Sequence, residues 1–410
     1  MDCCSAPGLT PLDQALEHLL GAIECQFQSE CVQLNQACGR ILADNITSTL
    51  NIPPSDNSAM DGYAMRAHDV ALGKPLTMIT KIFAGHPYDG ELQSGECARI
   101  MTGGEIPMGA DAVIMQENAH ETDDGVCFTQ TTQAGANIRP QGEDIKVGDI
   151  VLAQGRRLTA ADVGLLASLG LDSVPVAKPI VVALISTGDE LQSPGKPLLQ
   201  GQFYESNGYS VEALLRKWGA HVINYGIVPD NLEQLRDTFS EADQCAHVVI
   251  TSGGVSVGEA DYSKTVLEEM GHVDFWKLAI KPGKPFAFGR LPNSYFMGLP
   301  GNPVSAMVTL HQLCIPMLAK LIGEARTQSV RLQAKASQAL NKRPGRTDFQ
   351  RGVYHCDEHG QLWVKPTGGQ GSGLLTSVSK ANCYIILEQD RGKVEQGETV
   401  TLEPFDALLN

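Results

Sequence analysis

Two periodicities alternate along the 410-residue chain. Residues 10–22 (TPLDQALEHLLGA) place apolar positions at helical spacing, with Thr10 as a cap, Pro11 suited to the first turn and Asp13 at capping-box distance. A less regular helical pattern covers 32–44 (VQLNQACGRILAD). From 45 to about 150 the period shortens. CARIMTG, DAVIMQE and GVCFTQTT read as strands between turn clusters such as AGHPYDG and QSGE. Helical spacing returns at 159–170 with Thr159 as its cap. Strands and helices then alternate through PIVVALISTGDEL, SNGYSVEALLRKWG, HVINYGIVPD, NLEQLRDTFSEAD and HVVITSGGVSVGEAD to SYFMGLPGNPVSAMVTLHQLCIPMLAKLIG. Repeated units of this kind predict a doubly wound parallel α/β sheet. Beyond about 328, short runs and turn signals (DFQRGVYH, QLWVKPTGGQGSG, NCYIILEQDRG) read as a small β-domain.

Composition narrows the function. The 47 acidic residues exceed the 31 basic ones, for a net charge of −16, which disfavours general nucleic-acid binding. Eleven scattered cysteines without a C-x-x-C pair argue against a disulfide framework or a structural zinc site. No stretch of 18 consecutive apolar residues and no basic-then-apolar start is present, so a cytoplasmic protein without a membrane span is expected. An anionic ligand would then need a locally positive site within a negative field.

Three strands end in loops able to supply one. They are Ser186-Thr187-Gly188-Asp189-Glu190, the stretch from Thr251 to Asp261 with Ser252, Gly253, Gly254 and Ser256, and Gly298-Leu299-Pro300-Gly301-Asn302-Pro303. Each reads either as a tight βα turn or as an anion nest of backbone amides beyond a strand's carboxyl end. None has the P-loop or dinucleotide glycine spacing. Lys277, Lys281 and Lys284 fall in WKLAIKPGKPFAFG, whose Pro-Gly step favours a strand and turn presenting ammonium groups. Glu190, Asp230 and Asp261 near strand ends suit Mg²⁺ beside a phosphate, although Asp230 and Asp261 also fit as helix caps. In the β-rich half, DNSAMDGYAM around Asp61, the IMTGG turn with Thr102, and RPQGEDI with Asp144 are unusually polar for mere structure.

The strings NSAMDGYA, MTGG-x-x-P, GED, STGDEL, SGGVSVGEADY, FWKLAIKPGKP, GLPGNPVSA and DFQRG, in order from about 8 to 405, resemble the MoeA family of molybdopterin molybdenumtransferases, which includes the E domain of gephyrin. The resemblance implies four parts. They are a discontinuous helical domain (8–49 and 148–177), an inserted β-rich domain (50–147), an α/β molybdopterin-binding domain (178–327) and a C-terminal β-barrel (328–410). It implies a homodimer in which Asp61, Thr102 and Asp144 from one subunit face the α/β cleft of the other. Lys277 and Lys281 would act in catalysis. Ser252, Gly253, Gly254, Ser256, Pro300, Gly301, Pro303 and Ser372 would hold the pterin, and Glu190, Asp230 and Asp261 would hold Mg²⁺. The implied reaction ligates molybdate into adenylyl-molybdopterin with release of AMP, the substrate coming from an adenylyltransferase. An adenylyltransferase activity and a non-catalytic molybdopterin-binding scaffold are the alternatives.

Overall fold

The computed structural model describes residues 8–254, 262–325, 329–406 and 408–409. The chain divides into two compact units, one comprising Met1–Glu30, Gly39–Ile41 and Val176–Asn410, the other Cys31–Cys38 and Leu42–Pro175.

The second unit is β-rich. Its main sheet has the order Thr77–Ile82, Glu96–Ile100, Gly62–Met65, Ala112–Met115. Alternation gives the sheet two apolar faces. Tyr63, Met65, Cys97 and Ile114 pack with Val126 and Phe128, while Ala64, Ala98, Ile100 and Val113 pack with Ile82 and Leu92. Gly62 permits the closest strand approach, since a Cβ there would lie 2.0 Å from the Ile114 carbonyl oxygen. Helix Ala160–Ser168 begins at the expected cap Thr159, which forms a capping box with Asp162.

Two helical expectations at the N-terminal end need correction. Helix Leu12–Ala22 forms, but Thr10 does not cap it. Its backbone is instead used as a strand, receiving from Ala279 N at 2.7 Å and donating to Lys277 O at 2.9 Å. Residues 32–44 contain no α-helix. They continue strand Ser29–Gln33 into a single 3₁₀ turn, Leu34–Gln36, and Gly39 at φ +82° stops any helical extension.

The first unit carries the α/β sheet: β1 (Val181–Thr187), β2 (His221–Val228), β3 (Val248–Ser252), β4 (His272–Lys277), β5 (Pro285–Arg290) and β6 (Tyr295–Leu299), in the order β2-β1-β3-β6-β5-β4. The first four strands in that order are parallel, whereas β5 and β4 are antiparallel additions. The doubly wound sheet is therefore mixed. The joints 278–284 and 291–294 are too short for a crossover, which needs about a dozen residues, so they turn the chain back on itself. Val182 and Leu184 face the cluster containing Leu214, Leu215 and Leu318, while Ala183 and Ile185 face Leu235, Phe239 and Val266. Helices thus cover both faces, which is why β1 and β3 are apolar throughout. The helical run Pro303–Ile322 is long and apolar enough to cross a membrane, but 78% of it is buried in the protein core.

The C-terminal strands close into a five-stranded barrel in the cyclic order Thr347–Cys356, Leu362–Pro366, Leu332–Ala336, Thr399–Pro404, Cys383–Leu387. Its interior holds Ala334, Val364, Ile385, Val400 and Leu402. The two-residue strand Ile280–Lys281 pairs in parallel with the barrel at Thr347–Asp348, joining it to the α/β sheet.

Candidate functional site

The carboxyl ends of β1, β3 and β6 open into one cleft of about 1490 Å³, where open α/β sheets bind ligands. Its geometry begins with glycines. At Gly254 φ is +65°, and a Cβ there would meet Ser263 Oγ at 2.7 Å and Thr187 Oγ1 at 2.9 Å. At Gly253, where φ is +94°, a Cβ would lie 2.7 Å from the Thr187 carbonyl oxygen, and the Gly253 amide donates to Leu299 O at 3.2 Å. Gly253 and Gly254 are therefore pressed against the end of β1, where only glycine fits. The Thr187 and Ser263 hydroxyls and Asn207 Oδ1 are buried without a partner among the described residues. Such atoms are rarely left so, and they suit a polar ligand or water.

Helix N-termini contribute next. Ser206 and Asn207 begin one helix at the wall, and Asn302 and Pro303 begin another. Asn207 Nδ2 donates to Gly301 O at 2.8 Å, tying the two together. Glu205 Oε1 accepts the Gly208 amide at 2.6 Å. The Val304 amide donates to Ser372 O at 3.0 Å, which draws the barrel loop 370–373 over the second helix start. Two positive dipole ends then face the same space.

Charge completes the wall. Lys277, Lys281, Lys284 and Arg346 line it together with Glu190, Glu205 and Asp230. Among the described residues four basic side chains stand here against three acidic ones, whereas the chain has 31 against 47. The helix after Asp230 is capped by Asn231, whose Oδ1 accepts from Glu233 and Gln234, so the capping alternative for Asp230 does not hold. The Asp230 amide donates to Asp189 Oδ1 at 3.2 Å, which links the β1 and β2 loops. Among the described residues no group of three His, Cys, Asp or Glu is placed to hold a metal. Glu190 and Asp230, which both line the cleft, fit the chemistry of Mg²⁺, which binds through one or two carboxylates with substrate phosphates. Among the described residues no Cys or His lines the cleft, and its lysines and helix starts equip it for binding and charge stabilisation.

Of the expected residues, Glu190, Asp230, Ser252, Gly253, Gly254, Lys277, Lys281, Pro300, Gly301, Pro303 and Ser372 all line this cleft. Ser256 and Asp261 lie outside the described residues. Asp61, Thr102 and Asp144 lie in the β-rich unit, where the three polar segments converge. Asn57 pairs with Arg139, Ser58 N donates to Gly104 O at 2.9 Å, and Gln141 N donates to Asp56 Oδ1 at 2.7 Å. Asp61 Oδ1 accepts from Thr102 N at 2.7 Å and from Thr102 Oγ1 at 2.8 Å. Those bonds, the amide's first, hold the Asp61 carboxyl below its ordinary range.

Three sequence models match in succession: "MoeA N-terminal region (domain I and II)" over 10–170, "Probable molybdopterin binding domain" over 183–320, and "MoeA C-terminal region (domain IV)" over 333–405. A molybdopterin molybdenumtransferase of Haemophilus influenzae is 50% identical over 97% of this chain and 99% of its own length. The chain belongs to the molybdopterin molybdenumtransferase family. Within that family, a crystal structure described as the molybdopterin biosynthesis moeA protein of Pyrococcus horikoshii superposes with a TM-score of 0.84 at 31% identity, covering 97% of this chain and all of that one. Gephyrin of Dictyostelium discoideum is 31% identical over 97% of this chain and 62% of its own length. Membership makes the protein a transferase of molybdenum cofactor biosynthesis and favours that reading over the adenylyltransferase and scaffold alternatives.

Sequence reasoning missed Arg346, Glu205 and Asn207. A signal for Arg346 existed: RPGR repeats the basic–Pro-Gly–basic pattern of KPGK. Glu205 and Asn207 sit in a short stretch whose role depends on which helix start faces the cleft.

Proposed function

We propose that the cleft binds adenylyl-molybdopterin and molybdate, and that the pterin thiolates take up molybdenum as AMP leaves. The observation that carries this reading is the gathering of three lysines and Arg346 in one cleft with Gly253, Gly254 and two helix starts, in a chain of net charge −16. Lys277 and Lys281 would hold molybdate and phosphate oxygens, and the Gly253-Gly254 loop, Pro300, Gly301, Pro303 and Ser372 would seat the pterin and its phosphate. Orientation and fixed positive charge would supply most of the rate. Glu190 and Asp230, with Asp261, would hold Mg²⁺, whose charge would offset that of the phosphates. Asp61, Thr102 and Asp144 would complete the site from the second subunit of a homodimer. The enzyme would work in the cytoplasm on substrate handed over by an adenylyltransferase.

The test is release of AMP from adenylyl-molybdopterin with Mg²⁺, with and without molybdate. AMP release that depends on molybdate is expected. Release indifferent to molybdate would overturn the insertion reaction, and binding without release would return the scaffold reading. Asp61→Ala and Lys281→Ala should abolish release while sedimentation still shows a folded dimer. Normal turnover in both would refute the site assignment.

A further inference from the structure

Lys281 is gripped from behind the cleft wall. The parallel pairing of Ile280–Lys281 with the barrel puts Lys281 directly beside Asp348, and the Thr347 amide fixes that register by donating to Ala279 O at 2.8 Å. The Asp348 side chain is 2% exposed. Its Oδ2 accepts from Lys281 Nζ at 3.3 Å and from Gln350 Nε2 at 3.1 Å, and its Oδ1 has no partner among the described residues. A carboxylate so buried and half satisfied is costly, so a packing role alone explains it poorly. Two other cations stand nearby, Lys342 and Arg351. Both direct their N–H groups elsewhere. Lys342 Nζ donates to the carbonyls of Arg343 and Gln389, and the Arg351 guanidinium donates to Ser377 Oγ, Phe349 O and Gly371 O. Lys281 is the neighbour whose ammonium the carboxylate contacts.

The Lys281 side chain is 45% exposed and lines the cleft, while Asp348 does not. A lysine carries its charge on a flexible four-carbon stem. One ion pair to a rigid, buried carboxylate restrains that stem before any ligand arrives, and such preorganisation lowers the cost of binding. We propose that Asp348 is a positioning residue, fixing the Lys281 ammonium toward the oxyanion in the cleft without meeting the ligand itself. The proposal rests on the reading that Lys281 contacts the anion.

The test is a double-mutant cycle of Asp348→Asn and Lys281→Met, read as single-turnover AMP release against molybdate concentration. The reaction is followed over hours so that slow variants stay measurable. Melting curves check that each variant is folded. Asp348→Asn is expected to lower the rate at subsaturating molybdate roughly tenfold, the scale of a misplaced binding group, and to add nothing in the Lys281→Met background. Equal losses in both backgrounds would mean a structural role and overturn the proposal, as would a wild-type rate for Asp348→Asn beside an inactive Lys281→Met. Wild-type turnover of Lys281→Met would instead overturn the reading of Lys281 itself, and the role of Asp348 with it. Should Asp348→Asn fail to fold, Gln350→Leu loosens the carboxylate while keeping its charge. In the same cycle it should cost roughly threefold through Lys281 alone, and an unchanged or additive rate would refute the proposal.

Discussion

Replacing Gly254 with alanine probes the loop geometry more sharply than removing any charged residue. The backbone at φ +65° is left-handed, which costs a residue with a Cβ about 1–2 kcal/mol. The new methyl would also lie 2.7 Å from Ser263 Oγ and 2.9 Å from Thr187 Oγ1. Both hydroxyls are buried, and Thr187 is the last residue of a central strand, so it has little room to retreat. Overpacking of this kind adds about 1–3 kcal/mol. A total near 3 kcal/mol corresponds to a fall of roughly 6–12 °C in the melting of the larger unit. The backbone at 253–254 should also shift, and a displacement near 1 Å would lower AMP release roughly a hundredfold. Gly301→Ala is the control for stability. Its Cβ would meet only Gly253 Cα at 4.0 Å, and its φ is not positive, so its melting should stay within about 0.5 kcal/mol of wild type. Differential scanning calorimetry on both proteins decides the matter. Coincident melting curves would refute the claim that only glycine fits after β3.

Three further outcomes follow from other parts of the molecule. Thr159→Ala breaks the reciprocal capping box and should cost about 1 kcal/mol, measured by chemical denaturation of the β-rich unit. Arg351→Ala removes a fully buried side chain and the donor to Phe349 O, Gly371 O and Ser377 Oγ, for a loss of about 3–5 kcal/mol in chemical denaturation of the larger unit. Asp406 is pulled down to about 2 although burial opposes the shift, because His311 and the amides of Leu408 and Leu409 favour its charged form. Folded, it binds fewer protons than unfolded, so its stabilisation is complete above about pH 4 and lost as the pH falls through about 2. The group is 46% exposed, and after screening the contribution is about 1 kcal/mol. Asp406→Asn should remove that acid dependence in a pH series of melting curves, and an unchanged profile would contradict the assignment.

Much of the cleft was legible because its loops are local signals. Thr187-Gly188, Ser252-Gly253-Gly254 and Gly301-Asn302-Pro303 each sit at the end of an apolar strand, and parallel strands bring such ends together. What escaped was decided by distance along the chain or by competition between neighbours. Asp230 and Asn231 are both able caps, and the helix starts at Leu232, which gives the role to Asn231. Thr10 carries every mark of a cap, yet pairing with residues 277 and 279 uses its backbone first. The antiparallel return of β4 and β5 depends on two short joints, whereas the apolar pattern of those strands looks the same in either direction. The contact between Lys281 and Asp348 spans 67 positions, and no periodicity reports it.

The tie between the barrel loop and the helix that begins at Pro303 has a consequence for the newly made chain. The α/β sheet and its last helix are complete once synthesis reaches Ile322, but Arg346 and the 370–373 loop belong to chain not yet made. At about 5–20 residues per second, the roughly fifty residues between take some 3–10 s to appear. For that interval the sheet stands with one wall of its cleft missing. A nascent chain at that stage has the glycine loops and the lysines of 277–284, but neither Arg346, nor Ser372 over the helix start, nor the strand that sets the register of Lys281.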